Sequence, residues 1–137
     1  MRVWSAVGRR IPAVTTALGR ALLAYRGTTR TALSAYVGAA VAPAGPTDAS
    51  RPPVDAEQVW SVIERARVIG YATEDEENEP GISCLAVPLL RSGTAVAAVS
   101  ITAPAERMSA ARVARLHAQL REVLPPLLPG GLTLPAL

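Results

Sequence analysis

The chain has 137 residues, half of them apolar, which suffices for one domain with a sizeable core but not for two. Its formal net charge is +3, every one of its 14 basic residues is arginine, and five of its 11 acidic residues fall within 74–79. The single cysteine excludes an internal disulfide and fits a reducing cytoplasm, and no apolar run approaches the ~20 residues that span a bilayer.

The first residues predict a short strand over 2–7, because polar and apolar side chains alternate there. Thr15 or Thr16 then caps a helix over 17–25 that is rich in strong helix formers. An Arg9-Arg10 pair before an apolar stretch is also typical of an export signal, but Arg20 interrupts that stretch. We therefore expect a cytoplasmic protein.

The middle of the chain predicts a short helix over 28–36 and a loop over 38–53, which is rich in Ala, Pro, Gly, Thr and Ser. Asp55 begins a stronger helix, with Gln58 at capping-box spacing, and Gly70 fits its end. The buried stripe of this helix is predicted to comprise Val59, Val62, Ile63, Ala66 and Ile69.

Three strands follow in the sequence. We predict a short strand over 71–74, a long strand over 82–90 whose continuous apolar character indicates burial on both faces, and a return strand over 96–102. The turn residues 91–94 join the last two, and Pro104 ends the second of them.

A last amphipathic helix begins at Ser109 and ends at the Pro125-Pro126 pair, with Val113, Leu116, Leu120 and Val123 on its apolar face. His117, the only histidine, is expected at the surface or rim of this helix. Residues 1–126 would then form one domain and residues 127–137 a loose tail. The elements together predict an α+β fold, an antiparallel sheet with flanking helices.

These segments offer the parts of a pocket for a small carboxylate, which needs free amides at a helix start, polar groups on rigid strands and an apolar wall. The helix start supplies backbone amides, and Gly19 there lets a ligand approach the backbone. One long strand supplies a thiol, and the other supplies two hydroxyls, two residues apart, that share a face. The acidic loop opens with a glutamate. The candidate effector-binding residues are Ala17, Leu18, Gly19, Glu74, Cys84, Ser100 and Thr102.

Taken singly, each of these residues has a commoner structural explanation: a core cysteine, strand hydroxyls bonded to the backbone, a solvated acidic turn, a helix capped by its own threonine. Only their combination favours a site. Asp75, Glu76 and Glu77 lack the ligand spacing of a calcium loop, and the chain contains no P-loop and no GxGxxG. We expect no metal, no cofactor and no enzymatic activity.

In its order of motifs the sequence resembles the C-terminal effector-binding domain of IclR-type bacterial transcriptional regulators. The resemblance is carried by residues 8–12, 16–24, 70–72, 75–77, 80–81, 84–88, 97–101, Pro104 and Arg107. It implies a GAF-like sensor fold that binds a small organic or aromatic acid through the candidate residues. It also implies assembly as a homo-oligomer, or with full-length IclR-type regulators, and contact with DNA only indirectly.

The chain departs from the family pattern in two ways. Glu74 stands where aspartate is familiar, and Ala17 and Leu18 are bulkier than the smallest versions, so the ligand preference can differ. The winged helix-turn-helix that begins complete members, and the opening helix and strands of the effector domain, are expected to be missing. The alternatives are a non-functional truncated remnant, an enzyme that uses Cys84 or the acidic loop, and direct DNA binding through the arginine-rich body.

Overall fold

The structure, a computed structural model, describes residues 7–41 and 53–137. Four helices and three strands follow one another: α1 (Ala17–Ala24), α2 (Arg30–Val41), α3 (Ala56–Ile69), β1 (Ala72–Asp75), β2 (Ile82–Arg91), β3 (Thr94–Pro104) and α4 (Ala110–Val123). The predicted α+β class is confirmed. Within the described ranges, no helix has the length and apolar character to cross a membrane. The predicted strand over 2–7 lies outside them, apart from Val7 in a turn.

The ends of α3 follow the local signals in the sequence. The Asp55 side chain accepts hydrogen bonds from the amides of Glu57 and Gln58, at 3.0 and 3.3 Å, which confirms it as the N-cap. Gly70 ends the helix in the left-handed conformation, with φ of 85°. Of the predicted stripe, Val59, Ile63 and Ala66 are buried.

Helix α2 is longer than predicted. It continues to Val41, so the loop predicted from residue 38 is wrong for residues 38–41. The alanines of this stretch are strong helix formers, and they outweigh the single glycine Gly38. The rest of the predicted loop, residues 42–52, lies outside the described residues.

The three described strands form an antiparallel sheet in the order β1-β2-β3. Strand β2 is buried on both faces along almost its whole length, as its apolar run predicts. Ser92 and Gly93, with φ of 51° and 80°, form the tight turn to β3, which explains the turn chemistry of 91–94. β3 ends at Pro104, as expected.

The core lies between this sheet and helices α1 and α3. Its buried members are mostly small and aliphatic, because the chain has no phenylalanine. They include Ala17 and Ala21 of α1, Ile63 of α3, and Ala72 and Ala86 of the sheet. Small side chains on α1 and on the strands let the helix lie close to the sheet, which brings the start of α1 over the strands that carry the candidate site.

Helix α4 begins at the predicted cap, where Ser109 Oγ accepts from the Arg112 amide at 3.2 Å. The expectation that His117 lies at the surface is wrong, because its side chain is only 7% exposed. Its ring packs at a tilt of 40° against the ring of Tyr71, just before β1, with centroids 4.3 Å apart. This face of α4 therefore buries Val113 and His117, whereas Val123 remains exposed.

The tail is docked rather than loose. Leu90 and Thr133 exchange two backbone hydrogen bonds of 2.8 and 2.9 Å. The tail therefore pairs with the part of β2 that extends past its partner strand β1. Arg121 Nη1 donates to the Pro135 carbonyl at 2.7 Å. The prediction of looseness, based on proline and glycine content, failed because proline and glycine do not preclude such long-range contacts.

Candidate functional site

Three of the candidate residues form one row across the sheet. Glu74 is the register partner of Cys84, and Cys84 is the register partner of Thr102. Residues paired in this way project to the same face. Cys84 Sγ lies 3.1 Å from Thr102 Oγ1, so the thiol and the hydroxyl are in direct contact.

Ser100 belongs to the next row on the same face. It pairs with Ala86, which pairs with Ala72. Ala72 and Ala86 pack in the core cluster that also contains Ala17 of α1. The face that carries Glu74, Cys84, Ser100 and Thr102 is therefore the face against which α1 packs, and Thr102, near the end of β3, is exposed on it.

The carboxyl group of Glu74 is buried, with the residue 3% exposed. Its Oε1 accepts from the amides of Glu77 and Asn78 at 2.6 and 2.7 Å, so one oxygen closes the acidic loop. Burial raises the pKa of this carboxyl above its ordinary value, although the two amides act in the opposite direction. A raised pKa brings the protonated form of Glu74, which can donate a hydrogen bond, closer to physiological pH.

The thiol of Cys84 is held in its neutral form. Burial raises its pKa, the hydrogen bond with Thr102 opposes this, and the nearby Glu74 carboxylate raises it further. A thiol with a raised pKa is a poor nucleophile. Cys84 is therefore suited to polar contact and packing rather than to covalent chemistry.

The start of α1 combines a cap with free amides. Thr16 Oγ1 accepts from the Gly19 amide at 3.0 Å, which identifies Thr16 as the cap. Among the described residues, nothing accepts from the amides of Ala17 and Leu18, which remain donors at the positive end of the helix. The Ala17 side chain is buried, and that of Leu18 is 40% exposed.

The main chain of Ala13, and not a ligand as expected, is the close neighbour of Gly19. The sequence suggested that Gly19 lets a ligand approach the backbone. In the structure, a Cβ built at Gly19 would lie 2.1 Å from the Ala13 carbonyl oxygen, so the main chain of Ala13 makes this close approach. The glycine thus allows the 3₁₀ turn Ala13–Thr15 to pack against α1.

Sequence analysis missed the residue that ties α1 to the acidic loop. Arg20 is 2% exposed, and its Nη1 lies 2.5 Å from Glu77 Oε2. Its guanidinium also donates to the carbonyls of Val14 and Thr73 at 2.8 and 3.0 Å. Its position within the apolar run of α1 was the available signal, since a charge there is buried only when paired.

The acidic loop is organised by its own side chains. Glu76 has a positive φ of 56°, and its Oε1 accepts from the Gly81 amide at 2.7 Å. Glu77 Oε1 accepts from Gln58 of α3 at 2.8 Å. The loop therefore has a fixed shape, and within the described residues no group of three or more His, Cys, Asp or Glu is arranged to hold a metal ion.

The comparisons with known proteins agree on one family. The family model described as the bacterial transcriptional regulator IclR C-terminal domain matches residues 1–124. The chain is 34% identical over 122 residues to the HTH-type transcriptional regulator XynR of Escherichia coli K12, covering 87% of this chain and 46% of that protein. It is 34% identical over 128 residues to KdgR of the same organism, covering 90% and 47%. The chain thus spans about half the length of these relatives.

Solved structures agree with this. The C-terminal domain of E. coli KdgR is 31% identical, with a TM-score of 0.63 over 84% of this chain and 68% of that chain. The Agobacterium tumefaciens repressor BlcR is 26% identical, with a TM-score of 0.67 over 90% and 49%. Both similarities span most of the chain.

Proposed function

This chain belongs to the IclR family of bacterial transcriptional regulators, whose C-terminal domain it matches, and we propose that it senses a small organic or aromatic acid. The acid would bind between the start of α1 and the row formed by Glu74, Cys84 and Thr102. The observation that carries the proposal is the convergence of these polar groups on the strand face against which α1 packs.

Each part of the site supplies one requirement of acid recognition. The free amides of Ala17 and Leu18 and the positive end of α1 favour a carboxylate. The hydroxyls of Ser100 and Thr102 orient the rest of the ligand from a rigid strand. Glu74, whose pKa is raised by burial, can donate a hydrogen bond to the ligand when it is protonated.

Signalling would follow from a shift between conformers. A ligand that binds one conformer better raises its population, and an oligomer interface reports the change. The signal would reach DNA indirectly, through a homo-oligomer or through co-assembly with full-length IclR-type regulators. The neutral thiol of Cys84 supports binding rather than catalysis as the role of the site.

A thermal-shift titration tests the proposal, with glyoxylate, pyruvate and aromatic acids as ligands. A ligand at 100 times its dissociation constant adds about 2.7 kcal/mol to the free energy of unfolding. This corresponds to a rise of about 9 °C in the Tm of a domain of this size. The Ser100→Ala/Thr102→Ala double variant should lose the shift.

Thr94→Ala is the matched control, because Thr94 lies on the same strand but at its exposed opposite end. This variant should keep the full shift. A cooperative melt that no acid in the panel moves would refute the ligand class. The absence of a cooperative melt would indicate a remnant that does not fold alone.

A further inference from the structure

A cavity lies at the β1 edge of the sheet. It has a volume of about 470 Å³ and is bounded by α3, by the paired strands β1 and β2, and by the start of α4. Sites for small molecules typically have volumes of roughly 300–1,000 Å³. The cavity is therefore large enough for a small organic molecule.

This cavity adjoins the proposed effector site. The strands line it with Thr73, Asp75 and Ser83, which alternate along the chain with Glu74 and Cys84. Alternate residues of a strand project to opposite faces. Glu74 and Cys84, which belong to the row of the proposed effector site, also line the cavity.

One wall of the cavity is apolar, and a packing contact fixes its aromatic side chain. Val62 and Ile69 come from α3, Val113 from α4, Met108 from just before α4, and Tyr71 from just before β1. The Tyr71 ring packs at a tilt against the buried His117 ring, with centroids 4.3 Å apart. This contact preorganises an aromatic surface in the cavity for a ligand.

The polar lining carries two opposite charges. Asp75 accepts a hydrogen bond from the Ser83 hydroxyl through one oxygen, which leaves its other oxygen available. Arg65 lies on the α3 wall, and within the described part of the chain it forms no ion pair. The two side chains therefore present a cation and an anion beside one apolar wall without neutralising each other.

We propose that this cavity binds an α-amino acid with an apolar side chain. The ligand's ammonium group would contact Asp75, its carboxylate would contact Arg65, and its side chain would pack against Tyr71 and the aliphatic wall. A molecule with only one of the two charges would leave Arg65 or Asp75 without its partner. The site adjoins the acid-sensing site and shares Glu74 and Cys84 with it, but its proposed ligand contacts are Asp75, Arg65 and Tyr71.

The test compares three ligands that differ only in their charged groups: phenylalanine, 3-phenylpropionate, which lacks the ammonium group, and phenethylamine, which lacks the carboxylate. Binding is followed by NMR at the amides of Ser83, Ala110 and Ala114, in the Ser100→Ala/Thr102→Ala background, so that an acid in the effector site does not interfere. Phenylalanine should bind about tenfold more tightly than either analogue, since each lacks one charge-assisted contact.

Substitutions of the residues that line the cavity provide a second test, again through the affinity for phenylalanine. Arg65→Gln and Asp75→Asn should each weaken phenylalanine binding about tenfold, whereas Arg115→Gln, an exposed arginine of α4 outside the cavity, should not. Ala114→Trp should block the cavity, and Ala111→Trp, also exposed on α4, should not. Wild-type circular dichroism spectra identify the variants that have kept the fold.

Three results would overturn the proposal. The first is no shift at these amides up to the solubility limit of phenylalanine. The second is binding of either analogue as tightly as phenylalanine. The third is unchanged affinity in both folded charge variants.

Discussion

Nη1 of Arg20 lies 2.5 Å from Oε2 of Glu77, and this ion pair joins helix α1 to the acidic loop. The free amides of the proposed site belong to α1, and the loop closes on Glu74. Arg20 therefore sets the position of the helix start relative to the row across the sheet. The guanidinium is buried and also bonded to two carbonyls, which fixes it more firmly than a surface pair.

Replacement of Arg20 by Gln should lower the free energy of unfolding by about 3 kcal/mol, because it leaves Glu77 unpaired and two carbonyls without a donor. Urea denaturation measures this. Arg30→Gln is the control, since the Arg30–Glu57 pair has the same 2.5 Å separation but side chains 62% and 72% exposed. The control should cost about 0.5 kcal/mol or less, and equal losses in the two variants would contradict this account of Arg20.

Gly19→Ala should destabilise the fold, because the new Cβ would overlap the Ala13 main chain. Gly38→Ala is the matched change in α2, where a Cβ has no neighbour within 4 Å. It should raise the free energy of unfolding by about 0.5–1 kcal/mol through helix propensity. Opposite signs of the two shifts in Tm are the expected result, and a stabilised Gly19→Ala would show that the 3₁₀ turn moves freely.

Elements with local signals were predictable from the sequence. Asp55 and Gly70 mark α3, and the β2–β3 hairpin follows from two apolar runs around a glycine turn. The features that were missed depend on distant partners. Leu90 holds the tail through Thr133, and His117 is buried because Tyr71 packs on it.

In the candidate site, too, features with a local signal were predictable and those that depend on distant partners were not. The alternation of strand residues placed Ser100 and Thr102 on one face, and the register of the structure adds Cys84 to that face. The burial of Arg20 was not predictable, because its three partners lie at Val14, Thr73 and Glu77. Spacing along α1 shows where an arginine lies but not which carbonyl and carboxylate oxygens surround it.

His117 should make stability depend on pH. Burial lowers the pKa of its imidazole, and the charge of Arg121 lowers it further. The unfolded chain therefore binds the proton more readily, and the free energy of unfolding should fall as pH decreases from about 6.5. Urea denaturation from pH 7.5 to 5 measures this, and His117→Gln should flatten the dependence. An equally steep dependence in the variant would assign it to another group.

Glu74 should couple acid binding to pH. An anionic ligand beside an ionised, buried carboxylate is repelled, so protonation of Glu74 should favour binding. Affinity for an acid should therefore rise as pH falls towards the raised pKa of Glu74, which calorimetry between pH 8 and 5 can measure. Glu74→Gln keeps an oxygen to accept from the Glu77 and Asn78 amides, and it should bind with little pH dependence. Wild-type affinity that is constant over this range would contradict the coupling.

The central claim is that an acid binds between the start of α1 and the row across the sheet. Amide chemical shifts of the isotope-labelled chain, recorded during titration with the panel of small carboxylates, test it most directly. The account predicts that one acid shifts the amides of Ala17, Leu18, Cys84 and Thr102 together, with a single dissociation constant. Saturable shifts that avoid these four residues, or no saturable shift with any acid, would contradict it.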